Sequence, residues 1–352
     1  MNRTLGRSGL PVSALGMGTW AIGGAMPGPD GEPFGWGQVD DTVSLRAIRT
    51  AVDLGVTLFD TADVYGIGHA ETILGRALAP VRDRVLIATK WGGGYDERAG
   101  HLLPADSSPG YLRTALAASL RRLHTDHVDI YQLHISHLPR GPAEDLVAAC
   151  EDLVGAGLIR GYGGSTDHVD CAEMFAAGPH CWVVQHELNV FHDAADMVDL
   201  CRRHGLASLN RSPLAMGLLT DGVTRDSRYP QDTVRGTAPA WLTWFAEGRP
   251  VPEFLDRRDA IRDLLTSDGR TLAQGALAWI WARSPDTIPL PGRGQIADHR
   301  LRSVRGRRRS PGASAARWMR PVAARTVPRP RSPTPARPRP AGARRARPRT
   351  HP

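Results

Sequence analysis

The sequence predicts an α/β protein: a single (β/α)8 TIM barrel over residues 1–299, followed by a disordered Arg/Pro-rich tail over 300–352. Three observations predict it. Eight short apolar or β-branched runs, each followed by a helical pattern, recur at about thirty-residue spacing, as parallel strands with helical crossovers do. A closed barrel needs ~250 residues, which 1–299 supplies with one long loop to spare. An open doubly wound sheet lacks its usual support, because no G-x-G-x-x-G follows the first strand. The nearest approach, Gly66-Ile67-Gly68, has Glu71 where the third glycine belongs.

The elements follow in order. Ala14–Trp20 reads as a first strand running into a glycine-rich loop. Asp40-Asp41-Thr42 caps a helix to about Leu54, with Leu45, Ile48, Ala51 and Val52 at helical spacing. Val56–Asp60 is the second strand, and a loop with Tyr65 leads to a helix from about His69 to Leu78. Val85–Lys90 is the third strand; a loop with Gly92, Gly93 and Gly94 precedes a helix from Pro109 to about Leu123. The alternation continues with strands Val128–His134, Ile159–Ser165, Trp182–Glu187 and Leu206–Arg211. Helices Ala143–Val154, His168–Ala177 and Ala194–His204 lie between them. A long polar insertion covers roughly 215–265, then helix Thr271–Ala282 and strand Thr287–Pro291 complete the eighth unit.

The net charge of +8 divides unevenly. Residues 300–352 hold 17 arginines and no acid, leaving 27 basic against 36 acidic residues in 1–299, a net of −9. No window approaches ~18 uninterrupted apolar residues, so no transmembrane helix is expected. Met1–Leu10 has no apolar stretch of the secretory kind. Four scattered cysteines without CxxC spacing suit a reduced cytoplasm.

In a barrel, catalytic groups belong at the C-terminal ends of different strands. Here Asp60, Lys90, His134, Ser165, Gln185 and Arg211 occupy six consecutive strand ends, and Tyr65 lies on the loop after the second. Lys90 is the sole lysine in a chain with 44 Lys plus Arg, so position 90 needs an amine whose pKa can be tuned. A free phenol, with a pKa of ~10, transfers protons poorly at neutral pH, and a neighbouring ammonium lowers that value. Two units of lowering need ~2.7 kcal/mol. Asp60, Lys90 and Tyr65 supply a carboxylate, an ammonium and a phenol in sequence, with His134 placed to orient a carbonyl oxygen or relay a proton.

These residues stand in the strings FDTADVYGIGHAETILGRAL, IATK, SLRRLHTDHVDIYQLH, GLIRGYGGS and SPLAMGLLT. Together they resemble the aldo-keto reductases over about residues 3–299. The resemblance implies a barrel that binds NADPH/NADP+ in extended form. It implies a catalytic tetrad of Asp60, Tyr65, Lys90 and His134, with Tyr65 the general acid in hydride reduction of a small aldehyde or ketone. It also implies carboxamide contacts from Ser165 and Gln185, with Thr166 standing where the family places an asparagine. Arg211 falls where many members stack an aromatic ring on the nicotinamide; a planar guanidinium stacks similarly. Leu214, Gly217 and Leu219 match the loop along the pyrophosphate, where backbone N–H groups would bind. Arg293 and Gln295 match the phosphate-binding segment, although the Gly-to-Gln spacing is about three residues short and Asp298-His299 replaces Glu-Asn.

Plainer readings compete at each position. Asp60 alone reads as a helix N-cap, and His134 alone as a core histidine; the matched Lys90 favours the tetrad for both. Trp20 and Trp91 are core residues or walls of an apolar substrate pocket, the latter favoured by their places beyond strand ends. The pairs His124/His127 and His134/His137 suggest a metal, but no third ligand clusters with them in the sequence, so none is expected. The tail, rich in Arg, Pro and Ala, cannot bury enough surface to fold. It is an arm for nucleic acid or another polyanion, an inert extension, or the product of a shifted reading frame after about residue 292, the reading favoured by the abrupt end of motif agreement. Two further functions compete with catalysis: a cofactor-binding regulatory barrel with little turnover, and polyanion binding through the tail.

Overall fold

A computed structural model describes residues 2–292. Among these, eight parallel strands form one sheet: β1 (Met17–Gly18), β2 (Leu58–Asp60), β3 (Leu86–Trp91), β4 (Val128–Leu133), β5 (Ile159–Ser165), β6 (Cys181–Glu187), β7 (Ala207–Arg211) and β8 (Thr287–Pro289). Each pairs with its sequence neighbour. The sheet closes on itself, because Gly16 N–H donates to Pro289 O and Gly18 N–H to Pro291 O, both at 3.0 Å. The expected barrel is therefore what the chain forms.

Helices α1 (Asp41–Asp53), α2 (His69–Leu78), α3 (Pro109–Leu123), α4 (Arg140–Gly155), α5 (Val169–Ala176), α6 (Ala195–His204) and α7 (Leu272–Arg283) follow successive strands, α1 after β1 and α7 before β8. Local chemistry sets their ends. The Asp40 carboxylate accepts from the N–H groups of Thr42 and Val43 and starts α1. Ser108 caps α3 through Tyr111 N–H, and Thr271 with Gln274 forms a capping box at α7.

Strand alternation divides the core in two. Leu58, Ala88, Ile130, Val183, Leu209 and Ile288 face inward and pack with Leu5 and Val12. Those last two come from an N-terminal hairpin, Asn2–Thr4 with Pro11–Ser13. The outward residues Phe59, Ile87, Trp91, Tyr131 and Val184 pack against the helices.

The insertion departs from the expectation of a polar loop. Val223, Val234, Leu242, Trp244, Phe245 and Leu255 bury one another and Leu277 of α7. Arg258, itself buried, donates to the carbonyls of Leu218 and Val223 and fastens the segment. Its apolar residues are scattered over turns, a short strand and short helical pieces, so they show no single period in the sequence. Among the described residues no helix is long and apolar enough to cross a membrane. The readings placed on Arg293, Gln295 and residues 300–352 lie outside the described residues.

Candidate active site

The strand-end residues converge at the C-terminal mouth of the barrel. Lys90 reaches from β3 and donates to Asp60 Oδ2 and Thr61 O, each at 2.7 Å, and to Tyr65 Oη at 3.2 Å. Asp60 Oδ1 takes two further bonds, from Gln185 Nε2 at 2.7 Å and Gln132 Nε2 at 3.2 Å. Tyr65 is positioned by backbone pressing on backbone. A Cβ at Gly23 would lie 2.6 Å from the Tyr65 carbonyl carbon, and one at Gly66, where φ is +61°, would lie 2.0 Å from Gly23 O. Only glycine permits that approach. The His134 ring meets Tyr65 edge-on, with centroids 5.8 Å apart.

Burial and charge set the protonation states. Burial works against the Lys90 ammonium, but Asp60 and then Tyr65 outweigh it, and its pKa is raised. Tyr65 departs from expectation. Burial pushes its phenol above the usual value; Lys90 pulls down, Asp60 pushes up again, and the net direction is upward. The proximity of an ammonium was legible in the sequence; the desolvation that overrides it was not. Tyr65 is thus held as a neutral phenol. Burial, assisted by Lys90 and Arg211, lowers the His134 pKa to about 3, which keeps the imidazole neutral.

Above these groups opens a cleft of about 1150 Å³, bordered by Trp20, Tyr65, His134, Ser165, Gln185 and Arg211, and by Leu214 and Gly217 on the loop after β7. A cleft of this size admits a cofactor-sized molecule. The Ser165 hydroxyl has no hydrogen-bond partner among the described residues, so a donor and acceptor is left open to the cleft. Arg211 is anchored by Asp167, with Glu187 3.7 Å away. Trp20 lies nearly parallel to Tyr65, with centroids 6.1 Å apart, and Trp36 and Trp241 extend this aromatic wall.

Three expectations need correction. Trp91 does not wall the cleft: it is fully buried on the outer face of β3, stacked on Tyr131 at 6.0 Å. The residue after inward Lys90 must point outward, toward the helices. Thr166 does not border the cleft either. Its hydroxyl donates to Ser136 O and accepts from His168 N–H, so it clamps two loops. The N–H groups of Gly217 and Leu219 both turn inward to Leu214 O and are not offered to a phosphate.

The sequence reading also missed parts of the site. Gln132, a lone amide in the apolar run of β4, stands directly opposite Lys90 in the sheet register and supports Asp60. Glu71, fully buried, accepts from Thr89 Oγ1 at 2.5 Å and Arg122 Nε at 2.8 Å, which ties α2 and α3 to the residue beside Lys90. The sequence pairing of the histidines also gave way to another grouping: His137 lies with His168 and Asp170, one ligand atom from each within 4.8 Å of the others, while His124, His127 and His134 are not part of that cluster.

The chain is similar to known proteins along most of its length. The profile of the Aldo/keto reductase family matches residues 14–300. An Escherichia coli protein named NADH-specific methylglyoxal reductase is 32% identical over 293 residues, covering 80% of this chain and 85% of its own. The solved glycerol dehydrogenase from Gluconobacter oxydans superposes with a TM-score of 0.72 at 30% identity, covering 92% of this chain and 95% of its own. A Klebsiella pneumoniae aldo-keto reductase solved in complex with NADPH gives a TM-score of 0.58 at 25% identity, covering 85% of this chain and 87% of its own.

Proposed function

This chain belongs to the aldo/keto reductase family, and from that premise we propose that it reduces small aldehydes or ketones to alcohols with NADPH. One observation carries the reading. Lys90 donates to Tyr65 Oη, so the phenol's own proton remains to be given away, and it faces a cleft beside a neutral imidazole. Ser165, Gln185 and Arg211 would hold the nucleotide, with Arg293 for a 2′-phosphate, and the group would supply the hydride that the carbonyl carbon takes up. Tyr65 gives its proton to the carbonyl oxygen as negative charge develops there. Lys90, held charged by Asp60, stabilises the resulting phenolate. His134 has no side-chain hydrogen bond to another described residue, so its N–H is free to hold the carbonyl oxygen toward Tyr65. We place the reaction in the cytoplasm, where the four buried thiols stay reduced.

The preference for NADPH over NADH is supported by the NADPH-bound Klebsiella relative and opposed by the NADH-specific Escherichia coli one. The test follows both nucleotides at 340 nm with aldehydes and ketones, methylglyoxal among them, in wild type and Tyr65→Phe. Turnover that falls ~10²–10⁴-fold in the variant, with nucleotide binding retained, is the expected result. Unchanged turnover in Tyr65→Phe overturns the assignment of the acid. Nucleotide binding without turnover in wild type replaces the enzyme by a regulatory barrel, and a higher kcat/KM with NADH overturns the nucleotide.

A further inference from the structure

We propose that His137, His168 and Asp170 form a binding site for a divalent transition-metal cation, separate from the catalytic tetrad. His137 lies on the loop after β4, three residues beyond His134; His168 and Asp170 flank the start of α5. All three are exposed, the two imidazole centroids are 5.0 Å apart, and one ligand atom from each residue falls within 4.8 Å of the others. Coordination at ~2.0–2.1 Å requires ligand atoms roughly 3.3 Å apart, a closure that exposed side chains make by rotation.

The backbone already holds the ligands together. Thr166 Oγ1 donates to Ser136 O, the neighbour of His137, and accepts from the N–H of His168 at 2.9 Å. One hydroxyl thus fixes the two histidine-bearing loops against each other. The side chains are also uncommitted. Neither imidazole makes a hydrogen bond to another described residue, and His168 does not cap α5 with its side chain. Asp170 Oδ1 accepts from Cys171 N–H at 2.9 Å, and its Oδ2 has no partner among the described residues.

Two imidazoles and one carboxylate suit Zn²⁺, Ni²⁺ or Co²⁺ rather than Mg²⁺ or Ca²⁺, which prefer all-oxygen shells. Three protein ligands leave the remaining positions to water or a small ligand. Ser136, beside His137, and Ser165, the last residue of β5, border the cleft, so an occupied site locks that side of the mouth.

The test is calorimetric titration of the full-length, chelator-treated protein with Zn²⁺, beside Co²⁺ absorption in the visible. One equivalent of Zn²⁺ should bind, with ligand-field bands from Co²⁺. His137→Ala, His168→Ala and Asp170→Asn should each weaken Zn²⁺ by at least about tenfold, since even outer-shell losses cost that much. Zn²⁺ should raise the wild-type melting temperature but not that of the double histidine variant. Metal-free melting curves confirm that the variants fold. Zn²⁺ affinity unchanged in the three variants places the cation elsewhere and overturns the site, as does an absence of binding in wild type.

Discussion

Replacing Lys90 with methionine would break the pair at the centre of the site while preserving most of its volume. Asp60 is 3% exposed, and its two oxygens are served differently. Oδ1 keeps its bonds from Gln185 and Gln132, but among the described residues Oδ2 is reached only by Lys90, at 2.7 Å. Lys90→Met therefore leaves one oxygen of a buried carboxylate without a donor, a change that costs about 3–5 kcal/mol. The double variant Asp60→Asn/Lys90→Met removes both charges and should fall short of the summed single losses by about 2–3 kcal/mol. Because the folded-state pKa of Lys90 is raised, its contribution is fully present below the unfolded value of ~10.4 and is lost only above it. Lys90 itself should thus add no pH dependence to wild-type unfolding from pH 6 to 9. Urea unfolding of the four proteins at pH 7, with the wild type and single variant repeated at pH 6 and 9, measures both quantities. Additive losses, or a single-variant loss below about 1 kcal/mol, would show that water screens the pair and refute the reasoning.

Three other outcomes follow from particular contacts. Burial lowers the pKa of His186, bonded to Ser208 Oγ and the Glu187 carbonyl, to about 4. The unfolded chain then takes up the proton first as pH falls, and stability drops by ~1.4 kcal/mol per unit from ~6.5 toward 4. Urea midpoints measured across that range should lose one proton's worth of slope in His186→Asn. Trp91→Ala should cost ~3–5 kcal/mol in urea unfolding without changing carbonyl KM, whereas Trp20→Ala should raise KM at little cost in stability; the reverse pattern would return Trp91 to the cleft. For the basic tail, an intact mass near 38.1 kDa in protein from its native source would eliminate the shifted-frame reading. Salt-sensitive retention on nucleic acid, lost on truncation after His299, would then favour the polyanion-binding arm.

The sequence was most legible where a side chain's role follows from its place along one strand. Asp60, Lys90 and His134 could be found that way because a strand end in a barrel points to the mouth. Gln132 escaped because its role depends on the register between β3 and β4, which sets it opposite Lys90 and within reach of Asp60. Thr166 was misread for a related reason. Its position in the chain matches a nucleotide contact, but its hydroxyl is taken by Ser136 O on another loop, and no pattern within either segment announces that contact. Tyr65 shows a third kind of limit. The sign of the Lys90 effect was right, but burial, the larger cause, is a property of everything packed around the ring.

One parity rule accounts for the catalytic mouth and for the Trp91 error together. Along the strands, the inward set runs from apolar Leu58, Ala88, Ile130, Val183 and Leu209 to polar Asp60, Lys90, Gln132, Gln185 and Arg211, each two residues further on. The lower layer, sealed by Leu5 and Val12, excludes water beneath the site; the layer above carries its charge and amides. Lys90 is desolvated because Ala88 and Ile130 floor its surroundings, and it stays charged because its ammonium reaches Asp60 Oδ2 at 2.7 Å, although Asp60 stands opposite Ala88 in the register. Trp91 is one step out of phase with Lys90 and so belongs to the helix layer with Tyr131. The same alternation that buries the barrel's core therefore decides which strand-end residues can face the mouth, while the register between strands decides which of them meet.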